Sequence, residues 1–245
     1  MKRILPGAIT VLLAGCGSSS PTAPTAPAAP TVTSVTITGL DAIRSGFFSN
    51  FTATANMSNG TTQAATGATW ASDDTSVATV AANGDVAGIA NGNATIAATF
   101  NGVRGSKPVR IVSNYGGDWS GTYRVAKCDE SGNFQTLGWC SGIGGIGAVL
   151  PIAMSLGQTG TGRDQISGVL ILGSIGGNVT GNVTSDGRLN LGGSFAVNVG
   201  PSVAVVTIGG WDTRLSNTTG MTGGWANTLQ ATGLTGNGYQ ENTNV

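Results

Sequence analysis

Apolar and polar residues alternate with a period of two over long parts of this chain. Val35 and Ile37 share one parity, and a second alternating series runs from Ala94 to Phe100. Such alternation is typical of β-strands with one buried and one exposed face, because successive side chains point to opposite sides of a sheet. Glycine, which disfavours helices, supplies 41 of the 245 residues. The pattern therefore predicts an all-β protein.

Turn signals divide residues 31–113 into several short predicted strands. Asn-Gly pairs are the strongest short-range signal for a β-hairpin, because both residues tolerate a positive φ. The pairs in this region are Asn59-Gly60, Asn83-Gly84, Asn91-Gly92 and Asn101-Gly102. Short strands separated by frequent turns predict a β-sandwich or a β-barrel.

Residues 114–245 form a second predicted domain, with a glycine-rich alternating pattern. Seven or eight consecutive strands are expected here, with no helix between them. Two of these strands are expected from Val203 to Trp211 and from Met221 to Leu229. Consecutive strands favour an antiparallel meander, which either closes into an up-and-down barrel or remains an open sandwich.

Charge and residue content exclude several classes of function. The chain has 11 basic and 11 acidic residues and no histidine. Nucleic-acid binding needs a basic patch, which the scattered cations do not form. Histidine is the commonest general base and metal ligand, so we expect no catalytic residue, no metal and no cofactor. The enzymatic alternative is an envelope hydrolase with paired carboxylates, drawn from Asp118, Asp164, Asp186 and Asp212.

The N-terminus has the pattern of an export signal. Lys2 and Arg3 precede an apolar run over residues 4–13, which is too short for a membrane span. The sequence Leu13-Ala14-Gly15-Cys16 resembles the lipobox of bacterial lipoproteins. That resemblance implies that residues 1–15 are removed, that Cys16 carries lipid, and that Gly17 directs the protein to the outer membrane. Residues 16–30, which include four prolines, then form an extended tether.

The cysteine content agrees with this assignment. An exported chain with three cysteines leaves one unpaired unless that one is modified. If Cys16 carries lipid, Cys128 and Cys140 are expected to form a disulfide in an oxidising compartment. The alternative is that Cys128 and Cys140 are reduced, buried thiols.

A second resemblance covers residues 31–113. The stretch from Thr69 to Val80 is followed by a hairpin with Asn83-Gly84 and by the strand Ala94-Thr95-Ile96-Ala97-Ala98-Thr99. In order and in content, these segments are similar to the group 2 bacterial immunoglobulin-like (BIG2) domain. The resemblance implies an immunoglobulin-like β-sandwich with Trp70 in its core. Such domains are modules of surface proteins and carry no activity of their own.

The second domain weakly resembles lipocalin-like and avidin-like barrels. It opens with Gly117-Asp118-Trp119, which matches the Gly-x-Trp of the first strand in such barrels. The resemblance implies that Trp119 packs across the closed end of a barrel beneath Arg214. The residues expected to line a ligand pocket or to close the barrel are Trp119, Tyr123, Trp139, Trp211 and Arg214.

These observations predict a lipid-anchored protein of the bacterial cell envelope, on the periplasmic or the surface side. We expect a non-enzymatic protein in which an Ig-like spacer presents a β-rich adhesion or interaction module. The alternative is binding of a small apolar ligand or a carbohydrate inside a C-terminal barrel. The expected partners are the membrane, through the N-terminal lipid, and another envelope protein, a glycan or a small apolar ligand.

Overall fold

The computed structural model describes residues 28–199, 202–217 and 220–244. The predicted signal peptide, most of the tether and the expected lipidation at Cys16 lie outside these residues. Within the described ranges, no helix is both long enough and apolar enough to cross a bilayer.

The first domain contains short strands arranged in three sheets. The strands are β1 (Val32–Thr38), β2 (Ala42–Arg44), β3 (Phe48–Asn50), β4 (Thr52–Met57), β5 (Thr62–Ala64), β6 (Thr69–Ser72), β7 (Ala78–Val80), β8 (Asp85–Gly88), β9 (Gly92–Phe100) and β10 (Val103–Val112). The sheet orders are β1-β4-β5, β2-β10-β9-β6 and β3-β8-β7. Strands β2 and β10 pair in parallel. This arrangement confirms the predicted immunoglobulin-like domain.

The core of this domain consists of apolar side chains that point inward from its strands and the segments between them. Phe51, Ile96 and Ile111 are almost completely buried, and each such side chain contributes about 1.5–3 kcal/mol through its removal from water. Trp70, which was expected in the core, is only partly buried and packs against it.

The hairpin between β9 and β10 confirms one of the Asn-Gly predictions. Asn101 has a φ of 49° and Gly102 a φ of 79°. Positive φ at both central residues is the requirement of a type I′ turn, whose twist matches that of the flanking strands. The turn aligns Phe100 with Val103 and sets the register along the whole hairpin.

The second domain is a closed eight-stranded antiparallel barrel. Its strands are β11 (Gly117–Glu130), β12 (Val149–Thr159), β13 (Gln165–Leu172), β14 (Ile175–Val183), β15 (Arg188–Val199), β16 (Ser202–Leu215), β17 (Met221–Ala231) and β18 (Gly238–Asn244). Each strand pairs with the next along the chain, and β11 pairs with β18 to close the sheet. Of the two architectures expected from the meander, the structure forms the barrel.

The prediction that no helix interrupts these strands was wrong. Two short helices, α1 (Asn133–Leu137) and α2 (Trp139–Gly142), connect β11 to β12. Gly138 ends the first helix in the left-handed conformation, with φ 63°, and precedes the second. Phe134 of α1 is completely buried in the barrel core, so tertiary packing stabilises a segment whose glycine-rich sequence does not favour helix.

Tyr115 lies in the segment that joins the two domains, and its side chain is completely buried. Its hydroxyl donates a hydrogen bond to the carbonyl of Gly187 at 2.7 Å. Its backbone N–H donates to Oε1 of Gln158 at 2.9 Å. Burial raises the pKa of Tyr115 to about 12, so the phenol stays protonated and remains a donor. The connection between the domains is therefore fixed inside the base of the barrel.

The hairpins at the same end of the barrel also contact the Ig-like domain. Asn91 donates a hydrogen bond to the carbonyl of Ser185 at 2.9 Å, and Arg110 forms an ion pair with Asp164 at 3.3 Å. A Cβ atom at Gly187 would lie 2.8 Å from Oγ of Ser113. The hairpin after β14 thus approaches the Ig-like domain more closely than a larger residue would allow.

Candidate ligand-binding site

Aromatic side chains fill the barrel interior toward the Ig-like domain. Trp211 and Trp225 stack with their ring centroids 4.4 Å apart, and Tyr123 lies at 5.2 Å from the Trp225 ring. The indole N–H of Trp211 donates to Oγ1 of Thr213 at 3.0 Å. Trp211, Trp225 and Tyr115 fill this end of the barrel, which we call the sealed end.

A cavity of about 460 Å³ occupies the opposite end of the barrel. Its volume lies within the range of small-molecule sites, which is about 300–1,000 Å³. Much of its wall is aliphatic, with side chains from strands all around the barrel. The aliphatic lining residues on the strands are Leu150, Leu172, Ile175, Val197, Val206 and Leu229. We call this end the cavity end.

The second helix covers part of this opening. Trp139, Gly142 and Ile143 line the cavity from its outer side. A disulfide joins Cys140 to Cys128 on β11, which confirms the predicted pairing. Oε2 of Glu130 accepts a hydrogen bond from the backbone N–H of Cys140 at 3.1 Å. The covalent link and this hydrogen bond hold α2 over the cavity.

Three buried amide side chains form a closed hydrogen-bonded ring in the barrel interior. Asn227 donates to Gln240 at 3.4 Å, Gln240 donates to Asn242 at 2.6 Å, and Asn242 donates back to Asn227 at 2.8 Å. All three are at most 5% exposed. Asn227 and Gln240 also line the cavity, so the ring places buried amide groups beside the aliphatic side chains of the wall. We call Asn227, Gln240 and Asn242 the amide ring.

Tyr123 connects the amide ring to the aromatic filling below it. Its side chain is buried and lines the cavity. Burial raises the pKa of Tyr123, and a hydrogen bond with Gln240 opposes that rise in part. The phenol is therefore neutral at physiological pH and provides a polar group without a charge.

The structure brings some of the residues predicted for a pocket to the cavity and places others elsewhere. Tyr123 and Trp139 line the cavity, whereas Trp211 is buried at the sealed end. Trp119 is partly buried, and its indole N–H donates to the carbonyl of Tyr115 at 2.8 Å. Arg214 is exposed, because the alternation that buries Thr213 turns its neighbour outward. The lipocalin-like resemblance implies a different position, with Arg214 packed over Trp119.

The carboxylates considered for hydrolysis lie outside the cavity lining. Arg188 contacts Asp186 at 3.0 Å and Asp212 at 2.6 Å on the exposed surface. A hydrogen bond from Thr184 lowers the pKa of Asp186, and the nearby Arg188 lowers it further. Glycosidase chemistry needs one carboxyl group with a raised pKa to act as the acid, and Asp186 has the opposite shift. Among the described residues, no group of three or more acidic or cysteine side chains is placed to hold a metal ion.

Sequence reasoning missed the amide ring. The signal was present in the parity of β17, where Trp225, Asn227 and Leu229 alternate on one face. The same holds in β18, where Gln240 and Asn242 are buried and Glu241 between them is exposed. Asparagine and glutamine are more often exposed than buried, so the alternating pattern alone did not single these residues out.

Comparison with known proteins identifies the first domain. Residues 31–111 match the family model of the bacterial Ig-like domain (group 2), which confirms the BIG2 resemblance and covers about one third of the chain. No curated protein sequence matches the chain.

Solved structures with detectable similarity include surface-layer proteins. Domains 4–9 of the surface layer protein SbsC are 13% identical, and the match covers 87% of this chain and 31% of that one, with a TM-score of 0.31. Domains 5–6 of SbsC are 18% identical, and the match covers 87% of this chain and 98% of that one, with a TM-score of 0.30. The present chain thus spans less than one third of the first of these structures, and TM-scores of this size do not establish a shared fold.

Proposed function

We propose that the barrel binds a small, mainly apolar molecule in the cavity at its cavity end. The observation that carries this proposal is the cavity of about 460 Å³ with aliphatic side chains and a few buried polar groups in its wall. Binding sites for small molecules combine these same features. A module that acts only through adhesion needs a broad outer surface and no such interior space.

The Ig-like domain acts in this proposal as a spacer that carries the barrel. The hydrogen bond from Asn91 to Ser185 and the ion pair between Arg110 and Asp164 join the barrel to the Ig-like domain. The match to the bacterial Ig-like family and the disulfide between Cys128 and Cys140 support a location outside the cytoplasm.

Native mass spectrometry of the protein from its own host tests the binding function. We expect a retained small molecule on the unaltered protein and none on the variant Leu150→Trp, whose indole would occupy the cavity. The matched control is Val169→Trp, which adds the same side chain at an exposed position on the outer face of β13. Absence of any bound mass on the unaltered protein, combined with no binding of added apolar ligands, would contradict the proposal.

We further propose that lipid on Cys16 anchors the protein in the bacterial envelope, with the outer membrane as its site. Two or more acyl chains hold a protein stably on a bilayer, whereas one chain gives only weak attachment. The variant Cys16→Ser should appear in the soluble fraction and should keep its signal peptide, as measured by membrane fractionation and intact mass. A variant that remains on the membrane with normal processing would refute the lipid anchor.

A further inference from the structure

The polar part of the cavity wall consists of neutral groups. Among the described residues that line the cavity, none carries a formal charge. The polar side chains deepest in the wall are Asn227, Gln240 and Tyr123. A buried ion needs an opposite charge or several strong hydrogen bonds to offset its loss of hydration. This wall supplies no opposite charge, and its composition disfavours an ionised ligand.

The amide ring leaves hydrogen-bonding capacity at the cavity surface. A primary amide has two N–H donors and two acceptor positions on its oxygen. In the ring, Asn227 and Gln240 each use one donor and accept one hydrogen bond from a ring partner. Gln240 also shares a hydrogen bond with Tyr123, so Asn227 keeps the larger free capacity, one donor and one acceptor position, for a group within the cavity. Asn242 bonds both side chains and holds them in position.

The ring also fixes the direction of these two amides. Each member is bonded to the other two, so a rotation of one side chain would break two hydrogen bonds in a buried environment, where unpaired polar groups are costly. Preorganised donors and acceptors recognise a ligand without a large loss of side-chain entropy on binding. Asn227 and Gln240 thus present a fixed pair of amide groups beside an aliphatic wall.

We propose that the cavity selects uncharged amphiphiles whose polar end is an amide or a hydroxyl group, and that Asn227 and Gln240 recognise that end. This inference rests on the proposed ligand-binding function and specifies its substrate class. An amide or hydroxyl group both donates and accepts hydrogen bonds, and so matches the donor and the acceptor position that Asn227 keeps. A carboxylate only accepts, and its charge would be buried without a cation.

A competition experiment with three ligands of equal chain length tests this selectivity. The full-length protein is loaded at neutral pH with the uncharged dye Nile red, and decanamide, decanol and decanoate are compared as competitors. We expect the amide and the alcohol to displace the dye at about tenfold lower concentration than the carboxylate, which corresponds to one or two lost hydrogen bonds.

The variant Asn227→Leu tests the assigned residue. We expect its preference for decanamide over decanoate to fall about fivefold or more, with retained dye binding because the wall becomes more apolar. The control Gln230→Leu removes an amide from the same strand at an exposed position and should leave the preference unchanged. Circular dichroism and dye binding establish that each variant is folded.

The possible results separate this inference from the function on which it rests. Failure of the dye and of all three competitors to bind would overturn the proposed ligand-binding function and the inference with it. Dye binding with equal displacement by decanoate and decanamide would overturn the selectivity alone. An unchanged preference in Asn227→Leu would overturn the role of Asn227. The comparison of ligands on the unaltered protein remains decisive even if that variant does not fold.

Discussion

The two ends of the barrel are built from the same eight strands but differ in how their interior is used. At the sealed end, Trp211 stacks on Trp225, and Tyr115 enters from the domain junction. At the cavity end, the wall is aliphatic, and a helix held by a disulfide covers an open volume. Strand number alone therefore does not decide whether a small barrel is filled or hollow. Side-chain volume and the connecting segments decide it, separately at each end.

The largest predicted effect concerns Tyr115 at the sealed end. We expect Tyr115→Ala to lower the free energy of unfolding of the barrel by about 3–5 kcal/mol, because it leaves a cavity and removes the hydrogen bond to Gly187. Urea unfolding followed by tryptophan fluorescence measures this effect. The control Tyr115→Phe keeps the ring and should cost about 1 kcal/mol. A loss below about 1 kcal/mol for the alanine variant would show that Tyr115 does not seal the barrel.

The next effect concerns the disulfide at the cavity end. Replacing Cys128 and Cys140 together by alanine should lower the free energy of unfolding by up to about 3 kcal/mol, because the denatured chain regains the freedom of the released loop. It should also speed dissociation of a bound dye, since α2 is then held mainly by noncovalent contacts. Stopped-flow dilution of dye-loaded protein measures that rate. An unchanged rate would mean that the helix does not restrict access to the cavity.

A matched pair of tryptophan substitutions compares the two ends directly. Val183→Trp at the sealed end should destabilise the barrel by about 1–3 kcal/mol. Val183 is almost completely buried, so the larger indole would force neighbouring side chains out of their preferred rotamers. Leu150→Trp at the cavity end should change the stability by less than about 1 kcal/mol, because open space receives the larger side chain. Equal destabilisation by both substitutions in urea unfolding would contradict the difference between the two ends.

The smallest expected effect concerns the ion pair at the domain junction. Arg110 and Asp164 are each about one third exposed, and ion pairs of this kind contribute about 0–1 kcal/mol. Arg110→Met should therefore lower the free energy of unfolding by less than about 1 kcal/mol. Gln158→Leu is the comparison, because the buried Gln158 side chain bonds backbone groups of Ser113, Tyr115 and Arg163. If Arg110→Met lowered the free energy of unfolding more than Gln158→Leu does, the ion pair would stabilise the junction more than the buried Gln158, contrary to this prediction.

The strands were predictable from sequence because their signals are local. Alternation placed Met154 and Trp211 on buried faces, and Asn101-Gly102 marked its hairpin correctly. Closure of the barrel was not predictable in the same way. It depends on the pairing of β11 with β18, whose residues lie more than a hundred positions apart, as in the pair Lys127 and Glu241. A period-two pattern is the same in an open sandwich and in a closed barrel.

The candidate site was only partly predictable for a related reason. Tyr123 and Trp139 were expected at a pocket because aromatic residues are common there, and both line the cavity. Asn227 and Gln240 were missed because amides are usually exposed and a single sequence gives no measure of burial. Their inward positions follow only when the register of β17 and β18 is known, which places Asn227 opposite Gln240.

The buried connection at Tyr115 has a consequence for how the two domains can be separated or exchanged. A barrel produced alone keeps its base only if the chain begins before Tyr115, and it then exposes the hairpin surfaces that meet Asn91 and Arg110. Replacing the Ig-like domain with another of its family would have to preserve these contacts and the space beside Gly187. The domains are consecutive in sequence, but they are not independent parts for recombination.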